Sequence, residues 1–123
     1  MQFTLESRSS VNLVRAYSRS ELRIGENRVL TSCIVTADRL ITDWEPRCFE
    51  ALAPAHLAAL LALEPQVVLL GTGPQQRFPP ATIGSLLNGR GVGLEVMDLG
   101  AACRTFNILV QEDRRVAAAL FFE

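Results

Sequence analysis

The side chains able to do chemistry fall into two clusters in the second half of the chain. One is Gly71-Thr72-Gly73 with Arg77; the other is Asp98 with Cys103, Arg104 and Asn107. The first follows the apolar run Gln66-Val67-Val68-Leu69-Leu70, whose lack of alternation predicts a strand covered on both faces. Ligand crevices in open α/β sheets lie beyond the carboxyl ends of such strands. The backbone N–H groups of a glycine turn, the Thr72 hydroxyl and Arg77 suit a small anion or carboxylate. The same glycines serve equally well in a structural turn that needs positive φ. The pair has the first two glycines of a dinucleotide fingerprint. The third position holds Gln76, however, and Pro74, Pro79 and Pro80 keep a helix from starting at once, so pyrophosphate on a helix end is not supported.

The second cluster opens a helix predicted over residues 99–111, with Asp98 at its N-cap. Ala102, Phe106, Leu109 and Val110 keep helical spacing and predict a core stripe; Gly100, Cys103 and Asn107 form a neighbouring stripe, with Arg104 beside it. Asparagine has no propensity reason to be in a helix interior. Asn107 therefore either hydrogen-bonds across a packed interface or faces a site. Cys103 as a nucleophile would need a base, and the single histidine, His56, is remote in sequence, so a buried, inert thiol is expected. The candidate ligand-binding set is Gly71, Thr72, Gly73, Arg77, Asp98, Cys103, Arg104 and Asn107. No catalytic residue, metal or cofactor is assigned.

Composition excludes several classes of function. All twelve basic residues are arginine, so a Walker A lysine and a Schiff-base lysine are both impossible. A net charge of -1 makes no case for nucleic acid, and the one adjacent basic pair, Arg114-Arg115, follows Glu112 and Asp113 in what reads as a solvated turn. Cys33, Cys48 and Cys103 are widely spaced, which argues against a zinc site and suits a reducing, cytoplasmic compartment. The N-terminus lacks the basic-then-apolar order of a signal peptide, and no run reaches membrane-spanning length. With 123 residues, 49% of them hydrophobic, the chain fits one domain, 1–123.

The first half predicts short antiparallel strands over 2–6, 11–17, 21–24, 29–36 and 39–44, with a turn at Gly25-Glu26-Asn27. A helix is expected over 55–63. The second half alternates: a strand over 66–71, a helix over 80–87, a strand over 93–97, the helix already named, and a last strand over 115–122. That alternation predicts crossover connections to a sheet. Asn88-Gly89 is the expected stop of the helix over 80–87, and Gly89-Arg90-Gly91-Val92-Gly93, between that helix and the next strand, reads as a helix stop rather than a phosphate loop. Trp44 is expected at the edge of the core and His56 at the boundary.

Taken in order, Ile41-Thr42-Asp43-Trp44, Val68-Leu69-Leu70-Gly71-Thr72-Gly73, Gly91-Val92-Gly93-Leu94-Glu95-Val96-Met97-Asp98, Ala101-Ala102-Cys103-Arg104-Thr105-Phe106-Asn107 and Glu112-Asp113-Arg114-Arg115 carry a resemblance over nearly the whole chain. The chain resembles a small α/β family typified by a methanogen protein of unknown function, whose mitochondrial relatives include respiratory complex I assembly factor 3. The resemblance implies a three-layer α/β fold with a mixed central sheet, helices and additional N-terminal antiparallel β structure. It implies no established activity for bacterial members and a non-enzymatic assembly role for the mitochondrial branch. The expected partner is accordingly another protein, with no nucleic acid, no membrane-spanning segment and homo-oligomerisation open; the alternative is a small anion- or carboxylate-binding protein or enzyme. Two positions depart from the family pattern. Leu99 stands where threonine is common after the aspartate, and Asp113 where glycine is frequent, a place aspartate can fill because it tolerates left-handed geometry.

Overall fold

The computed structural model describes residues 11–122, so the strand expected over 2–6 lies outside it. Strands β1 (Val14–Tyr17), β2 (Leu22–Ile24) and β3 (Asn27–Val29) form an antiparallel meander. The turn between β2 and β3 is tight enough to require positive φ at Gly25, which adopts +59°. Strands β4 (Cys33–Val35), β5 (Leu40–Ile41), β6 (Val67–Thr72), β7 (Gly93–Met97) and β8 (Val116–Phe121) form a second sheet in the order β5-β4-β8-β6-β7. In it β6 runs parallel to both β7 and β8, while β4 runs antiparallel to β5 and β8.

Helices α1 (Leu57–Leu61), α2 (Ala81–Gly89) and α3 (Leu99–Gln111), with 3-10 turns at Phe49–Ala51 and Pro54–His56, complete the described elements. α2 joins β6 to β7, and α3 carries the chain back past β6 to β8. Because the direction of travel across the sheet reverses, right-handed crossovers put the two helices on opposite faces. The core divides accordingly. Leu69, Val116, Ala118 and Leu120 pack with α3 and the meander residues Val14, Leu22, Ile24 and Val29. Val68, Leu70, Ala117, Ala119 and Phe121 pack on the other face with Leu57 and Leu60 of α1, Ile83 and Leu87 of α2, and Trp44. The result is three layers, with the five-stranded sheet in the middle. Both β6 and β8 are covered on two faces, which is why neither shows polar alternation.

The helix ends follow local rules. α2 closes with a Schellman motif, Gly91 N–H to Asn88 C=O at 3.0 Å and Val92 N–H to Leu87 C=O at 2.9 Å, with Gly91 at φ +76°. α3 closes the same way, Asp113 N–H to Val110 C=O and Arg114 N–H to Leu109 C=O, and Asp113 takes the left-handed position at φ +61°. That is the geometry its departure from glycine requires.

Two strand expectations need correction. Residues 29–36 are not one strand: the chain breaks after Val29, so that β3 stays in the meander and β4 enters the central sheet. The β-branched run hides the break because residues on either side are buried in either sheet. Residues 39–44 supply only the two-residue β5; Trp44 instead turns into the core, 4% exposed, its indole N–H donating to His56 C=O at 3.2 Å. The helix expected over 55–63 is a 3-10 turn at Pro54–His56 followed by α1.

Candidate functional site

Two loops meet beyond the carboxyl ends of the parallel strands. After β6, Thr72 is fully buried and its hydroxyl donates to Gln75 C=O at 2.6 Å while accepting from Arg77 N–H at 3.0 Å. Gly73 then turns at φ +99°, and its carbonyl accepts from Leu99 N–H at 2.8 Å. After β7, Asp98 caps α3, its Oδ1 accepting from Ala101 N–H at 2.9 Å. The loop after β6 is thus fastened to the first residue of α3.

Gly71 has a different role from Gly73. A β-carbon on Gly71 would lie 3.0 Å from Ala102 Cβ and 3.0 Å from Leu120 Cδ2, so the glycine lets α3 pack close to β6 without either neighbour giving way.

Arg77 turns away from α3. Its guanidinium donates to Thr72 C=O at 3.0 Å, pairs with Glu50 and lies 4.7 Å from the centre of the Phe49 ring. The arginine beside Glu50 contributes to holding that carboxyl below its ordinary value, after the carboxyl's own backbone hydrogen bond. Gln76 covers the sheet edge by donating to Val96 C=O at 2.9 Å.

On α3 the stripe of Gly100, Arg104 and Asn107 docks β1. Asn107 works as a strand partner: Oδ1 accepts from Val14 N–H at 2.8 Å and Nδ2 donates to Val14 C=O at 2.9 Å. Arg104 donates to the Tyr17 hydroxyl at 2.9 Å, and the Tyr17 ring lies so close over Gly100 that a β-carbon there would fall 2.6 Å from the hydroxyl oxygen.

Between these loops lies a cavity of about 260 Å³. Tyr17, Ser18 and Arg19 from the β1–β2 turn form one wall, Asp98, Leu99, Gly100 and Arg104 the other, with Gly73, Pro74 and Phe122 between them. Of the sequence candidates, Gly73, Asp98 and Arg104 are brought together here. Thr72 and Gly71 lie behind the loop, Arg77 lines a neighbouring depression with Glu50, and Asn107 and Cys103 lie further along α3, outside the cavity lining. Tyr17 and Arg19 were not singled out from the sequence. The only signal for them is an aromatic at a strand end followed by a polar turn, which is too common to use.

Cys33 and Cys103 are buried thiols in the layer between α3 and the central sheet, and Cys48 is exposed. Burial pushes the Cys33 thiol up to about 12, with Cys103 nearby adding to the rise. Burial likewise pushes Cys103 up to about 12, against the pull of the Arg104 guanidinium. The fold favours the neutral thiols, so this contribution is intact below the ordinary value of 9.0 and is lost as pH climbs from there toward about 12. A thiol-specific reagent near neutral pH is expected to label Cys48 rapidly, and Cys33 and Cys103 only at the rate of unfolding; equal labelling of all three would contradict this placement. Among the described residues, no group of three or more His, Cys, Asp or Glu is placed to hold a metal ion, and no helix is long and apolar enough to cross a membrane.

The fold and cavity define a small three-layer α/β domain whose loops converge on one side of a mixed sheet. The chain belongs to the family described as proteins of unknown function (DUF498/DUF598), whose profile matches residues 14–121. It is 33% identical, over 91% of its length, to a zebrafish (Danio rerio) protein named NADH dehydrogenase [ubiquinone] 1 alpha subcomplex assembly factor 3. It is 34% identical, over 58% of its length, to a Francisella tularensis protein named 13 kDa major membrane protein. The chain spans 65% and 58% of these two relatives. An NMR structure of a Xanthomonas campestris protein, 40% identical, matches with a TM-score of 0.81 over 89% of this chain and 83% of that one. The family and three-layer fold implied by the sequence motifs are therefore those of this chain.

Proposed function

We propose that this protein is an interaction module that assists the assembly of a larger complex, its partner being a subunit or assembly intermediate of a membrane-bound respiratory enzyme. The observation that carries the reading is the match to an assembly factor along nine-tenths of the chain, through the meander as well as the central sheet. The geometry supports it. Thr72, Arg77, Asp98 and Asn107 fasten loops and layers to one another, which gives the strand-end surface a fixed shape. Phe78, on the fastened loop before α2, is 74% exposed and offers an aromatic anchor of the kind that dominates protein interfaces. The compartment we propose is the cytoplasm, where the three cysteines remain thiols.

The test is affinity purification of the full chain at native expression, alongside a Phe78→Ala variant. The expected result is specific recovery of a respiratory-enzyme subunit, reduced at least tenfold by the substitution if Phe78 contributes the roughly 1.4 kcal/mol of a modest interface anchor. Recovery of no specific partner under gentle conditions would overturn the reading. Recovery that is unchanged in the variant would overturn the role of Phe78.

A further inference from the structure

We infer that the cavity between the β1–β2 turn and the start of α3 is a binding site for a small monocarboxylate with an apolar body. This goes beyond the assembly reading, because such an acid could bind whether or not a protein partner docks elsewhere. Size comes first. The cleft, about 260 Å³ and open on one side to solvent, has room for a short acid.

Charge comes next. Arg104 is hydrogen-bonded to the neutral Tyr17 hydroxyl, and among the described residues neither it nor Arg19 forms an ion pair. Asp98 is the one acidic group in the lining, and one of its oxygens is already occupied by Ala101 N–H. Two guanidinium groups against one carboxylate give the lining a formal charge of +1; Arg19 also borders the neighbouring depression, where Glu50 and Arg77 are paired with each other. That balance suits a monoanion; a doubly charged phosphate would bring its second charge against Asp98.

The walls supply the rest of the specificity. Pro74, Leu99, Phe122 and the Tyr17 ring line the cavity with apolar surface. An acid entering it would place its carboxylate at the planar forks of Arg104 and Arg19 and its body against those side chains. Gly100 keeps the arrangement open. With no side chain there, the Tyr17 ring lies directly on the helix and its hydroxyl orients Arg104.

The carboxylate could belong to a free short-chain acid or to the C-terminal residue of another chain, and the experiment separates these sources. Backbone amide NMR shifts of the full chain are followed during titration with hexanoate, N-acetyl-leucine, N-acetyl-leucinamide and inorganic phosphate. Both carboxylates are expected to shift Gly73, Leu99 and Gly100 saturably, with the amide at least tenfold weaker. N-acetyl-leucine as the tighter ligand assigns the site to a chain terminus, and hexanoate as the tighter one to a free acid. Arg19→Gln, at an exposed position without hydrogen bonds among the described residues, and Arg104→Gln should each weaken binding about tenfold while leaving the rest of the spectrum in place. Equal response to acid and amide, tighter binding of phosphate, shifts confined to other regions, or full affinity in both arginine variants would overturn the inference.

Discussion

Replacing Gly71 with valine is expected to cost about 3 kcal/mol or more of folding stability, close to the upper end for overpacking a core. The β-carbon alone would stand 3.0 Å from two buried carbon atoms, Ala102 Cβ and Leu120 Cδ2, and 3.5 Å from Leu99 Cα. Carbon atoms pack best at about 3.5–4.0 Å, so the first two contacts are repulsive. Retreat is restricted on both sides. Leu120 belongs to β8, paired with β4 and β6, and Ala102 belongs to a helix held by buried Phe106 and Val110 and by the Asn107 bonds to β1. Alanine should cost about 1–3 kcal/mol and valine more, because its two methyl groups add to the same crowded space. Gly84→Ala is the internal control. Its added carbon would meet only Leu94 Cδ2, at an ordinary 3.7 Å, in the interior of α2, so a gain of about 0.5–1 kcal/mol is expected from helix propensity. Urea unfolding checks both: the midpoint should fall for the Gly71 variants and rise slightly for Gly84→Ala. A Gly71→Val protein within about 0.5 kcal/mol of the parent would show that α3 does not rest on β6 as described.

Asn107→Asp should destabilise the protein by about 2–3 kcal/mol at neutral pH, and part of that loss should return on acidification. The amide uses both ends, one accepting from Val14 N–H and one donating to Val14 C=O. A carboxylate keeps the acceptor but turns a negatively charged oxygen toward the Val14 carbonyl. The protonated acid restores a donor, so the folded state favours the proton and raises this group's pKa above the ~3.9 of an unfolded aspartate. The native state then binds more protons than the unfolded state between the two values. The penalty is therefore complete above the raised native pKa and shrinks as pH falls through it. The measurement is the difference in unfolding free energy between variant and parent from about pH 7 down to about pH 4. A difference that stays flat across that range would mean the side chain does not bridge α3 to β1.

These two residues also show where sequence reading stops. Gly71 and Gly73 look equivalent in a glycine turn, yet Gly73 is needed for its positive φ and Gly71 for the approach of a helix thirty residues on. The first requirement is local and the second is not. Asn107 stood out as a polar residue without a helical reason to be there. Its partner, Val14, is 93 residues away, and no spacing rule reaches that far. Arg77 and Arg104 were both legible as cations near a strand-end loop, but only the fold sends one to Glu50 and Phe49 and leaves the other in the cavity.

The second half of the fold and the family are legible from residues close together in the chain. The unalternating run of β6 and the Asp98 cap are specified by a few adjacent residues, so they could be read in place; the helix before β7 was also legible, but it runs through Gly89 and takes its left-handed stop at Gly91, two residues beyond the expected one. The tertiary structure alone decided that β8 lies between β4 and β6, that residues 29–36 divide between two sheets, and that Tyr17 and Arg19 meet Asp98 and Arg104 around one cavity. Those features depend on burial and hydrogen bonds between segments far apart in the chain, where each segment's own pattern is compatible with several neighbours and only packing selects one.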